Sequence, residues 1–83
     1  MDIEFDPAKD AANIEKHGIS LSRAADLVVL ARMIDDRFEE DRRRAYGLID
    51  SLPHCLAYAI RNGRVRAISL RRAHAKEMRR YVE

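Results

Sequence analysis

The sequence predicts an α+β fold, a largely antiparallel sheet with helices gathered at its two ends. Three observations lead there. Asn62-Gly63 separates two β-prone runs in LAYAIRNGRVRAISL, Asp6-Pro7 and Gly18 bracket a helical stretch, and Ala73 to Tyr81 reads as a closing helix. With 83 residues, 47% of them hydrophobic and 36% charged, the chain reads as one domain spanning 1–83. It is too apolar for a disordered chain and too charged for a membrane protein.

The elements follow in order. Asp2, Ile3, Glu4 and Phe5 alternate polar and apolar, a short strand with Ile3 and Phe5 inward. Asp6 is placed to cap a helix that Pro7 opens without losing a hydrogen bond. Gly18 ends that helix, and Lys16 and His17 complement the negative end of its dipole. Ser20 is a second cap, and Leu21, Ala24, Ala25, Leu27 and Val28 give the next helix one apolar stripe. Beyond it, Ala31 to Ile34 fits a short strand and Asp35 to Asp41 a charged loop. Arg43 to Leu52 fits another strand, interrupted at Pro53.

The Asn62-Gly63 turn sets a register. Arg61 faces Arg64, Ile60 faces Val65, Ala59 faces Arg66, Tyr58 faces Ala67 and Ala57 faces Ile68. One face then carries Leu56, Tyr58, Ile60, Val65 and Ala67 as core. The other carries Arg61, Arg64 and Arg66, with Ile68 and Leu70 farther along. Three clustered arginines call for an anion among them, either acidic residues of the N-terminal half or phosphates. In the last helix Ala73, Glu77 and Tyr81 share one side, and Arg72, Lys76, Arg79 and Arg80 make the rest basic.

Charge is divided between the halves. Residues 1–41 hold 11 acidic and 5 basic side chains, and residues 42–83 hold 3 acidic and 11 basic. The C-terminal excess fits an anionic partner, nucleic acid first, and equally fits a basic half that packs beside the acidic one. No apolar run approaches the roughly 18 residues of a spanning helix. The acidic start MDIEFDPAKD is unlike a signal peptide, and the single Cys55 suits a reducing compartment. A cytoplasmic location without membrane association is the expectation.

Several chemistries lack their residues. His17, His54 and His74 stand in no metal-ligand spacing, and glycines at only 18, 47 and 63 make no phosphate loop, so neither a metal nor a cofactor is expected. Cys55 reads as a small buried apolar group. What remains suits RNA phosphodiester cleavage, which needs a base, cations for the phosphorane and an acid for the leaving oxygen. Arg61, Arg64, Arg66, Arg71 and Arg72 are candidate cations, and Lys16, His17, Glu77 and Tyr81 candidate proton carriers. Each also has a plain structural reading: helix-end cations for Lys16 and His17, a salt bridge to Arg80 or Arg72 for Glu77, a core edge for Tyr81.

Two segments carry more than their composition. EFDPAKDAANIEKHGIS followed by paired alanines, and VRAISLRRAHAKEMRRY, together resemble the N- and C-terminal motifs of BrnT-type toxins of type II toxin–antitoxin systems. Arg42 and Gly47 fall where that family's middle strand usually has Arg and Gly. Arg43-Arg44 stand where more apolar strand residues are common, and Pro53-His54-Cys55 replace a plainer β run.

The resemblance implies a small RelE-like domain with two N-terminal helices and one C-terminal helix. It implies a ribonuclease that inhibits translation, acting on mRNA alone or with the ribosome. Its partner would be a BrnA-type antitoxin with a ribbon-helix-helix domain, in a hetero-oligomer that touches operator DNA through the antitoxin. Carried over by position, the motif residues are Asp6, Lys9, Asn13, Lys16, His17, Gly18, Arg42, Arg66, Ser69, Arg71, Arg72, Glu77 and Tyr81. Of these, Asp6, Asn13 and Gly18 are explained as caps and packing. The expected catalytic set is Arg66 and Arg71 on the phosphate with Lys16, His17, Glu77 and Tyr81 as proton carriers. Arg61, Arg64, Arg72 and Lys76 are expected to bind RNA, and cleavage is expected to be metal-independent. The alternative is a degenerate toxin that binds its antitoxin and acts as a co-repressor. Direct DNA binding fits less well, because no helix-turn-helix spacing is visible.

Overall fold

The computed structural model describes residues 3–83; Asp2, placed in the first strand by its alternation, lies outside them. Strand β1 (Ile3–Glu4) leads into helix α1 (Pro7–His17) and a 3₁₀ helix (Leu21–Asp26). Four longer strands follow: β2 (Val28–Asp35), β3 (Arg42–Ile49), β4 (Leu52–Arg61) and β5 (Arg64–Arg72). Helix α2 (Ala75–Tyr81) closes the order. The sheet runs β1-β5-β4-β3-β2, antiparallel except for the parallel pair β1–β5.

The local chemistry of α1 is as its sequence dictates. Asp6 Oδ1 accepts the Ala8 N–H at 2.8 Å, Pro7 takes the first helical position, and Gly18 closes the helix at φ 73°. Ser20 caps the next element through the Ser22 N–H, at 3.1 Å. That element is the first departure from expectation. It is a six-residue 3₁₀ helix rather than a second α-helix, and Val28, counted in its apolar stripe, instead begins β2. Only Leu21 and Ala24 of the stripe are buried. A 3₁₀ helix repeats every three residues, which suits that pair and nothing longer.

The stretch expected as one strand from Arg43 to Leu52 contains a hairpin turn at Asp50-Ser51, both residues with positive φ. Pro53 does not interrupt a strand; it is the second residue of β4, a tolerated place for a residue without an N–H. Helix α2 begins two residues after the expected Ala73, with His74 at its cap position.

Two apolar clusters sit on opposite faces of the sheet. One packs Leu21 and Ala24 of the 3₁₀ helix against Ala45, Ile49, Leu56, Tyr58, Ala67 and Leu70. The other packs Met78, Tyr81 and Val82 against Tyr46, Cys55 and Ala73. Gly47 lies where β2 crosses closest: a Cβ there would stand 2.1 Å from the Val28 carbonyl oxygen. Beside it Leu30 is bulged out of the β2–β3 ladder.

The Asn62-Gly63 hairpin has the expected register for four pairs, from Arg61↔Arg64 to Tyr58↔Ala67. The fifth differs. Ala57 faces Ser69, because Ile68 is an extra residue in β5. Leu70, expected beside the arginines, therefore turns into the first core and is fully buried. Arg71 moves the other way, onto the face that already holds Arg64 and Arg66.

Candidate functional site

Among the described residues β1 pairs with β5 at Val65 and Arg66, which leaves the C-terminal end of β5 without a strand on that edge. Helix α1 closes it through one side chain. Asn13 Nδ2 donates to the carbonyls of Ile19 and Leu70, each at 2.9 Å, and Oδ1 accepts the Leu70 N–H at 3.1 Å. This clamp fixes the last turn of α1 beside the end of β5. A cleft of about 230 Å³ results, bounded by Lys9, Asn13, Lys16, His17 and Ser69. The His17 imidazole is held below its ordinary pKa by partial burial, then by the charges of Lys16 and Arg71. It is predominantly neutral at pH 7.

On the α2 side of the same strand end stands a connected polar cluster. Arg71 forks onto Glu77, Nη1 to Oε1 at 2.8 Å and Nη2 to Oε2 at 2.9 Å. Glu77 also accepts the Tyr46 hydroxyl at 3.2 Å and the His74 N–H at 3.0 Å. Held mainly by Arg71, its carboxyl titrates at about 2 and stays ionised. Tyr46 stacks on Tyr81 with centroids 5.0 Å apart, and Arg44 Nη1 donates to the Tyr46 hydroxyl at 3.1 Å. Arg44, Lys76, Glu77, Arg80 and Tyr81 bound a second cleft of about 180 Å³.

The structure thus brings Lys16, His17, Arg71, Glu77 and Tyr81 to one end of β5, divided between two faces of its edge. Arg66 is not with them. It lies five residues up the strand, roughly 15 Å away by strand rise, with Glu4 at 3.7 Å. Arg64 shares Glu4 at 3.8 Å, and Arg61 binds Glu40 at 2.9 Å. The anions these arginines call for are therefore supplied by the acidic N-terminal half. Glu77 pairs with Arg71 rather than with Arg80 or Arg72. Arg72 turns to the groove beside His17, its Nε 3.3 Å from the Pro53 carbonyl.

Arg44, Tyr46 and Arg80 join this cluster with no motif to mark them as site residues. Arg44 and Tyr46 are two apart on one strand and hence on one face, a period-two signal that the run of three arginines concealed. Cys55 is buried behind the cluster, its thiol pushed up by burial, as expected of a packing residue. Among the described residues no group of three or more His, Cys, Asp or Glu side chains is placed to hold a metal ion, and no helix is long and apolar enough to cross a membrane.

The small α+β domain gathers guanidinium groups, lysines and an imidazole at one strand end, an arrangement with the charge to bind an anion. Its family is more specific. Residues 5–77 match the family model described as the ribonuclease toxin BrnT of type II toxin–antitoxin systems, and the chain belongs to that family. The fold is similar to the crystal structure of the Brucella abortus ribonuclease toxin BrnT, with a TM-score of 0.70 and 22% identity, covering 89% of this chain and 97% of that one. No curated protein sequence matches.

Proposed function

We propose that this chain is a RelE-like, metal-independent endoribonuclease toxin that inhibits translation in the cytoplasm and is neutralised by a BrnA-type ribbon-helix-helix antitoxin. The observation that carries the reading is the cleft of Lys9, Lys16, His17 and Ser69 at the α1–β5 junction, close enough to Arg71 for its charge to act on the His17 imidazole. Partial burial and the charges of Lys16 and Arg71 favour the neutral imidazole, the form that can act as a base, and Glu77 keeps the Arg71 guanidinium oriented.

In this mechanism His17 takes the proton of an RNA 2′-hydroxyl, whose oxygen attacks the adjacent phosphorus. Charge on the phosphorane falls to Arg71, assisted by Lys16. The P–O5′ bond breaks, the 5′ oxygen leaves with a proton from Lys16, and a 2′,3′-cyclic phosphate remains. Glu77 is too acidic at about 2 to serve as the base and acts as a positioning residue for Arg71. Arg72 and Lys76 bind the RNA backbone, and Arg61, Arg64 and Arg66 join them by exchanging Glu40 and Glu4 for phosphates.

The test is cleavage of unstructured RNA by the purified chain in EDTA, followed by growth arrest on expression. Arg71→Ala and His17→Ala should each lose cleavage by at least about a hundredfold. EDTA-resistant cleavage that survives both substitutions would overturn the assignment. Tight antitoxin binding with no cleavage by the wild type would favour the co-repressor reading instead.

A further inference from the structure

Most arginines in this molecule already have a carboxylate. Arg23 is paired with Asp26 and Asp50, Arg37 with Asp35, Arg42 and Arg61 with Glu40, Arg43 with Asp41, and Arg71 with Glu77. Among the described residues, Arg44, Lys76 and Arg80 form no salt bridge, and all three bound the cleft of about 180 Å³ beside Tyr81. The one acid there, Glu77, is consumed by Arg71, Tyr46 and the His74 N–H. The guanidinium carbons of Arg44 and Arg80 stand 5.5 and 5.4 Å from the centre of the Tyr81 ring. Arg44 Nε is buried and has no acceptor. Three cations that form no salt bridge and a buried donor without an acceptor, converging on a cavity, describe a site short of an anion.

We infer that the cleft of Arg44, Lys76, Arg80 and Tyr81 is a second phosphate subsite, one that holds a phosphodiester flanking the bond cut beside Arg71. This rests on the ribonuclease reading and adds to it a preference for RNA strands longer than a dinucleotide. The geometry favours a neighbouring phosphate over the reacting one. Glu77 walls this cleft with Arg71 forked onto it, while His17 bounds the separate cleft on the α1 side, so an anion at Arg44 lies apart from the base. Tyr81 then offers its exposed edge to the nucleotide between the two phosphates.

Binding of 2′-O-methyl RNA tests this, because the blocked 2′ oxygen prevents cleavage. For the wild type, a tetranucleotide should bind about tenfold more tightly than a dinucleotide, the worth of one charge-assisted contact. In Lys76→Gln/Arg80→Gln, whose side chains are exposed and not needed for folding, that ratio should fall below about twofold. Arg44→Gln should do the same, and Arg79→Gln, exposed and outside the cleft, should keep the ratio. The salt dependence of tetranucleotide binding should also become shallower in the double variant by about 0.7 in log–log slope per lost contact. An unchanged ratio in the double variant overturns the subsite and leaves the ribonuclease reading untouched. A wild type that shows the ratio yet cuts no unmodified RNA overturns the ribonuclease reading and supports the subsite.

Discussion

Asn13 and Leu70, 57 residues apart in the chain, exchange a reciprocal pair of hydrogen bonds that an adjacent strand would otherwise make. One amide side chain thus ends the sheet and sets the position of His17, a single helical turn farther along α1. The cleft beside Ser69 exists only while α1 lies against β5.

Asn13→Ala should therefore destabilise the fold by about 2–4 kcal/mol, since it leaves the Leu70 N–H and two carbonyls without partners in a buried place. Urea midpoints would measure it. Asn13→Asp should be no better, because a carboxylate has no proton for the Ile19 and Leu70 carbonyls. In both variants cleavage should fall more than the folded fraction does.

Gly47→Ala is expected to cost about 3 kcal/mol or more. The added methyl would meet backbone, the Val28 carbonyl at 2.1 Å and the Val29 Cα at 3.1 Å, and neither is the free end of a flexible side chain. Relief requires β2 to move away from β3. A denaturant midpoint within about 0.5 kcal/mol of the wild type, the range of a neutral surface change, would contradict that close approach.

Much of this arrangement is written locally. Asp6, Pro7, Gly18 and Asn62-Gly63 each determine a backbone conformation by their own chemistry, and each stands where the sequence places it. The features that escaped are those decided by packing. Ile68 bears no mark of a bulge, and its insertion follows from Leu70 entering the core while Asn13 holds its backbone. Asp50-Ser51 makes a hairpin turn with no glycine in it, so Pro53 looked like the break. The site suffered accordingly. Arg71 and Glu77 are both legible as motif residues, but their pairing depends on the face that the bulge gives to Arg71. Arg66 was joined to Arg71 by motif, and distance along β5 separates them.

Acid should destabilise the protein through Glu77. Its carboxyl ordinarily titrates near 4.5 and does so at about 2 in the fold, so the folded state binds the proton less readily than the unfolded one. The stabilisation is complete above about 4.5 and is lost as pH falls toward about 2. Allowing for solvent screening, it amounts to about 1–2 kcal/mol. Glu77→Gln should lower stability at pH 7 by a similar amount and flatten the acid limb of an unfolding profile. A profile identical to the wild type's between pH 2 and 5 would show that the pair contributes nothing.

His17 acting as the base would leave its mark on the pH profile of cleavage. Partial burial and the charges of Lys16 and Arg71 all disfavour imidazolium at His17, so the acid limb of kcat/KM should lie below the ordinary 6.5. Lys16→Gln removes one of those charges and leaves the burial in place. Its limb should move up, toward 6.5, whatever it does to the plateau rate. This direction separates the roles of the neighbours, because a loss of phosphate binding or of leaving-group protonation would lower the plateau without moving the limb. Raising ionic strength should move the wild-type limb the same way, since salt screens the two cations but not the burial. A limb that stays in place in Lys16→Gln and in high salt would mean that a group other than His17 takes the proton.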